Sequence, residues 1–314
     1  MLSIEAKRKR DALFRNYASN VDFVLNTPLH EQRRVWEEGA KNVPLPENVS
    51  TEEIDEEGIS AEWVRHSQAE KRKVILYLHG GGNSQGSSIT HRKLVGHIVH
   101  CANVNALTLN YSLAPENPFP AGLMDAKYAW QWLLAQGYRP DEIILGGDSS
   151  GGGLALSLLL LLKSENSPLP HSGFLLSPML DYTLSGDSIS SCADKDPLIV
   201  IEDLRQTVAY YCSDAETSNP LVSPLFGDLT GLPPLLVQTG SDELLLDDAI
   251  RLAKQATERV LTFKLKCGKV CGTYSSHPQT RYRKQIAQYA ELLPLFIRSR
   301  LRRCRGDFKQ SASI

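Results

Sequence analysis

The chain is poor in most of the features that announce a specialised class of protein. Aromatic residues make up only 7% of its 314 positions, and there are 3 methionines. The formal charge is -2, so no broad positive surface exists to bind nucleic acid. No Walker loop, dinucleotide G-x-G-x-x-G or zinc-finger spacing occurs. The 6 cysteines are scattered, which excludes a dense disulfide framework. Cys267 and Cys271 form a C-x3-C pair with no second pair to complete a zinc site. The most apolar stretch, Leu154 to Leu162, is too short to span a bilayer and reads as a buried helix. Met1 to Arg10 is charged and holds no apolar signal core, so a cytoplasmic protein without stable membrane insertion is expected. The arginines at 298, 300, 302, 303 and 305 read as a solvated helix face, with contact to a membrane surface as the alternative.

The chain does have a large apolar fraction, 42%, enough to fill the core of one large domain covering 1–314. From Lys73 onward strand and helix signals alternate. Strands are expected at 58–66, 74–78, 103–109, 142–146, 173–177, 235–239 and 260–266. Helices are expected at 90–100, 122–135, 151–163, 201–212, 245–257 and 280–301. Such alternation argues an α/β fold with a mostly parallel central sheet and helices on both faces. Residues 1–45 read as amphipathic helix up to Pro44 and Pro46, and the polar segment 182–218 interrupts the rhythm. Both are candidates for a helical cap or lid over the strand ends; a plain surface insertion is the alternative.

Two loops at strand ends carry chemistry. Gly147-Asp148-Ser149-Ser150-Gly151 follows the run Ile143-Ile144-Leu145 and opens a helix. A G-x-S-x-G between strand and helix is a sharp turn that presents a serine hydroxyl as nucleophile. His79-Gly80-Gly81-Gly82 follows Val74-Ile75-Leu76-Tyr77-Leu78. Unshielded backbone N–H groups there can face a developing oxyanion, the largest electrostatic contribution in acyl transfer.

A serine needs a base, and in this architecture the order is Ser, acid, His. Asp242 follows the run Leu235 to Thr239 and is the favoured acid, with Glu243, Asp247 and Asp248 as competitors. Of the 8 histidines only His277 lies after Asp242, so it is the candidate base. An exposed loop histidine is the competing reading.

Beyond these loops, Tyr111-Ser112-Leu113-Ala114-Pro115-Glu116, Pro118-Phe119-Pro120-Ala121, Ser223-Pro224-Leu225, Gly231-Leu232-Pro233-Pro234 and Ser241-Asp242-Glu243-Leu244 are present. Together these motifs resemble the hormone-sensitive-lipase-like branch of the α/β-hydrolases, the bacterial family IV esterases. The resemblance implies an α/β-hydrolase fold with Ser149 as nucleophile and Asp242 as acid. It also implies an oxyanion hole from the amides of Gly80, Gly81 and Ser150, and no cofactor or metal. The implied substrate is a small carboxylic ester or lactone, cleaved through an acyl-enzyme. Oligomeric state is left open. The sequence departs from the family at one slot: Cys271 stands where its catalytic histidine falls. Either His277 serves from a longer loop, or the chain is a weak or inactive hydrolase that binds a small molecule.

Overall fold

The computed structural model describes residues 22–23 and 26–268, apart from positions 57, 71, 197, 214 and 259–262. The expected helix 280–301, the arginines from 298 to 305, Cys271 and His277 lie outside the described residues.

Eight strands form one sheet in the order β1-β2-β4-β3-β5-β6-β7-β8. They are β1 (Val49–Glu56), β2 (Ile59–His66), β3 (Val74–Leu78), β4 (Asn105–Leu109), β5 (Ile143–Asp148), β6 (Ser172–Leu176), β7 (Leu235–Gly240) and β8 (Phe263–Gly268). From β4 through β8 every pairing is parallel, while β1, β2 and β4 pair antiparallel. β3 is an unbroken apolar run, and β5 opens with Ile143-Ile144-Leu145, because both of their faces are covered. β1 was not expected. Its Thr51-Glu52-Glu53 and Asp55-Glu56 give no apolar alternation, and acidic residues suit a strand at the sheet's edge.

The helices are α1 (Leu29–Lys41), α2 (Ser88–Ala102), α3 (Ala121–Ala135), α4 (Ser149–Ser164), α5 (Ser188–Ser191), α6 (Ile201–Cys212) and α7 (Leu246–Glu258). On one face of the sheet Leu123, Ala126, Trp130 and Leu133 of α3, with Leu154 to Leu162 of α4, pack on Leu76, Leu107 and Leu145. On the other face Leu94, Val95, Ile98 and Val99 of α2 pack on Ile75, Tyr77, Ile144 and Phe174. The sheet is therefore sandwiched between helices, as the alternation requires. α2 begins at Ser88, two residues before the expected start. Ser87 and Thr90 cap it reciprocally, Thr90 taking the place usually held by Glu or Gln.

A third apolar cluster sits beyond the strand ends. It joins Tyr182, Ile189, Leu204, Tyr211 and Cys212 to Leu244 and Leu245, just before α7. The segment 182–218 thus shares a small core with Ala114, Met179, Val222, Leu244 and Leu245. Among the described residues no helix is long and apolar enough to cross a membrane.

Candidate active site

The turn between β5 and α4 is shaped by glycine. A Cβ on Gly147 would lie 2.4 Å from the carbonyl oxygen of Gly151, and one on Gly151 would lie 2.2 Å from that of His79. No side chain fits at either place, so the chain can turn here only as it does. Ser149 takes the strain: its φ is 51°, in the left-handed region. Such a conformation costs a non-glycine residue about 1–3 kcal/mol and is kept where the surroundings enforce it. The helix starts at Ser149 itself, two residues earlier than the sequence suggests. Ser149 is part-exposed while its neighbours Asp148 and Ser150 are buried.

The glycine loop lies beside this turn. Gly81 and Gly82 have φ of 121° and 63°. The Gly81 carbonyl accepts from the amides of Ser84 and Gln85, which curls the loop back on itself. The Gly80 amide is not free: it donates to Asp148 Oδ1 at 3.1 Å. This corrects the expectation of Gly80 as an oxyanion donor, because an N–H held by a carboxylate cannot also receive a developing oxyanion. Among the described residues neither the Gly81 nor the Gly82 amide has an acceptor. Ser150 adds a contact that its backbone role did not suggest. Its Oγ accepts from the Asn83 amide at 3.1 Å, tying the loop to the turn.

Beneath the loop the groups are buried and polar. Burial, with His91 nearby, pushes the His79 imidazole down to about 3, so the ring is neutral. Its Nδ1 donates to the Gly80 carbonyl at 2.8 Å. Tyr111 OH donates to the His79 carbonyl at 2.7 Å. Burial works to raise the Asp148 carboxyl, but His91 and Tyr77 outweigh it and hold it below its ordinary value.

Asp242 lies just past β7, part-exposed, with Ser241 Oγ 3.3 Å from its Oδ1. Glu243 turns inward and accepts from Thr239 Oγ1 at 3.1 Å. Burial, despite Ser177, pushes the Glu243 carboxyl up to about 7. The other two competitors have different work. Asp247 Oδ2 accepts from the Ser188 amide at 2.8 Å, and Asp248 Oδ2 from the Leu180 amide at 2.6 Å. Both fasten the segment after β6 to α7. Asp196, which sequence reasoning did not single out, does the same: its Oδ2 accepts from the Leu244 amide at 2.9 Å, beside the acid loop.

In the last parallel pair Gly240 stands opposite Gly268. The chain leaving β8 therefore starts next to the loop that carries Asp242. The candidate base His277 falls beyond that point, outside the described residues. Among the described residues no group of three or more His, Cys, Asp or Glu side chains is arranged to hold a metal ion.

The chain was compared with known proteins. Residues 75–272 match the family profile described as the α/β hydrolase fold. An acetyl-hydrolase of Streptomyces hygroscopicus is 42% identical over 197 residues, 63% of this chain and 66% of that protein. An esterase of Acinetobacter venetianus is 37% identical over 247 residues, 78% of this chain and 81% of that protein. A crystal structure of an esterase from the bacterial hormone-sensitive lipase family superposes with a TM-score of 0.84 at 37% identity, covering 96% of this chain and 99% of that one. EstE5 crystals soaked with p-nitrophenyl butyrate give a TM-score of 0.85 at 34% identity, covering 95% and 99%.

Proposed function

Since the chain belongs to the α/β-hydrolase family, in the branch of the bacterial hormone-sensitive-lipase esterases, we propose that Ser149 is its nucleophile and that it works through an acyl-enzyme. It is a carboxylic ester hydrolase. One observation carries the mechanism: a hydroxyl raised on a left-handed turn, beside two glycine amides without acceptors among the described residues.

Ser149 Oγ attacks the carbonyl carbon of a small ester or lactone. His277 takes the hydroxyl proton, and Asp242 holds the imidazole in the tautomer that accepts it. The negative charge that develops on the carbonyl oxygen is met by the amides of Gly81, Gly82 and Ser150, the last at the positive end of α4. Collapse of this intermediate expels the alcohol, which carries away the proton from His277. Water, deprotonated by the same ring, then releases the acid. Asp242 is preferred to Glu243 because a carboxyl pushed up to about 7 is partly neutral at physiological pH. A neutral carboxyl cannot balance an imidazolium. The segment 182–218 and the N-terminal α1 act as the cap over this site.

The deciding experiment is hydrolysis of p-nitrophenyl butyrate by the purified protein and by Ser149→Ala. Turnover lost in the variant supports the reading, and undiminished turnover removes Ser149 from it. Cys271 in the slot of the family's histidine favours a second reading, a binding protein without turnover. Covalent labelling of Ser149 by a fluorophosphonate, with ester turnover, speaks against it.

A further inference from the structure

Asp148 immediately precedes the nucleophile and is buried. Three other segments converge on its carboxylate. Tyr77 OH, from β3, donates to Oδ1 at 2.7 Å. The Gly80 amide donates to the same oxygen at 3.1 Å. His91 Nε2, from α2, lies 3.3 Å from Oδ2. The other nitrogen of that ring also faces acceptors. His91 Nδ1 is 2.9 Å from Thr90 Oγ1 and 3.3 Å from the Ser87 carbonyl, and the Thr90 hydroxyl spends its own proton on that carbonyl at 2.8 Å. Both ring nitrogens of His91 thus lie against oxygen atoms. The neutral His79 ring fills the space between, stacked on His91 at 5.3 Å and on Tyr111 at 4.3 Å.

The loop is drawn tight against this carboxylate. A Cβ on Gly80 would lie 2.5 Å from Asp148 Oδ2, closer than any side chain could be tolerated. Ser149 is bonded to Asp148, and Gly81 is bonded to Gly80. The separation between nucleophile and oxyanion amides is thus set across a single hydrogen-bonded carboxylate. We propose that Asp148 is the positioning residue of the oxyanion hole, anchored by His91 and Tyr77. It binds the Gly80 amide so that those of Gly81 and Gly82 face Ser149. It touches no substrate. The proposal rests on the hydrolase reading above and deepens it.

The test compares the unmutated protein with Asp148→Ala, Asp148→Asn and Tyr77→Phe, each counted by fluorophosphonate titration of active sites. In Asp148→Ala, kcat per titrated site on p-nitrophenyl acetate should fall by ~10² or more while KM stays within about threefold. Affinity for a trifluoromethyl ketone, which forms the oxyanion on binding, should fall in proportion. Asn keeps an acceptor for Tyr77 and Gly80, so Asp148→Asn should retain part of the rate. Tyr77→Phe should lose a smaller part, and it serves as the readout if Asp148→Ala does not fold. A merely structural role would reduce the number of titratable sites and leave kcat per site and ketone affinity intact. That result in the Asp148 variants, or in Tyr77→Phe where they do not fold, overturns the positioning role alone. Absence of turnover in the unmutated protein overturns the hydrolase reading and this role with it.

Discussion

Thr207 Oγ1, on α6, stands so close over Gly82 that a Cβ on that glycine would lie 2.5 Å from it. The helix from the 182–218 segment therefore rests directly on the glycine loop. Nearby, Asn83 Nδ2 donates to Tyr182 OH at 2.6 Å, which links the loop to the same segment a second time. The 182–218 segment and the glycine loop are thus packed against each other.

Gly82→Ala should damage both. The φ of 63° strains any side chain, and the new methyl meets Thr207. We expect a loss of about 1–3 kcal/mol in urea unfolding, and kcat lower by ~10² as the amide moves off target. Adding Thr207→Ala relieves the collision and leaves the backbone strain. The double variant should therefore recover part of the rate, and strict additivity in that cycle would refute the contact's importance.

The choice of acid can be settled by two conservative changes. Asp242→Asn should cut kcat by ~10⁴, the size expected when the base is left in the wrong tautomer. Glu243→Gln should leave most of the rate, since Thr239 Oγ1 can donate to the Gln carbonyl as it does to the carboxyl. The reverse pattern would move the acid one residue along.

The buried carboxyls also fix a pH dependence of stability. Burial pushes Glu243 and Asp248 up to about 7 and Asp203 up to about 6. In the unfolded chain these groups lose their protons near pH ~4. Between those limits the folded protein holds more protons than the unfolded one, so stability falls as pH rises. The contribution is full below about pH 4 and gone above about pH 7. Asp148 and Asp181, both held below their ordinary values, act in the opposite sense and cost stability only in stronger acid. Below about pH 6.5 the buried neutral His79 acts in the opposite sense, because its ring takes up a proton on unfolding, so urea midpoints should decline from about pH 6.5 to 8, and Glu243→Gln should flatten that slope. An unchanged slope would mean that Glu243 is already ionised at the lower end.

Which parts of this were legible in the sequence follows from range. The Ser149 turn was readable because its G-x-S-x-G pattern is a compact motif, although the atoms that bar a side chain at Gly151 belong to Leu78 and His79. The central strands were readable as apolar runs covered on both faces. β1 was not, since its acidic residues belong to an edge whose partner, β2, supplies the pairing. The Gly80 amide was misassigned because its acceptor, Asp148, lies 68 residues away in the chain. Nothing in three successive glycines says which amide is already occupied. The Asp196 clamp on Leu244 spans 48 residues and leaves no local signature either.

Arg33 gives the last prediction. From α1 its Nε donates to the Ser84 carbonyl at 2.7 Å, and one terminal nitrogen donates to the Ala114 carbonyl at 2.8 Å. Both terminal nitrogens also reach Glu116 at 2.8 Å. Glu116 is mostly exposed, so that ion pair contributes under about 1 kcal/mol. The two carbonyl bonds matter more, at about 1.5–3 kcal/mol for charged donors. They are made by a flat fork that holds three acceptors at fixed angles, a geometry a lysine ammonium cannot copy. Arg33→Ala and Arg33→Lys should therefore behave alike. Amide hydrogens of residues 29–41 should exchange faster in both, while those of β3 and β5 keep their protection. Rescue by lysine would show that charge, and not the fork, holds α1 against the glycine loop.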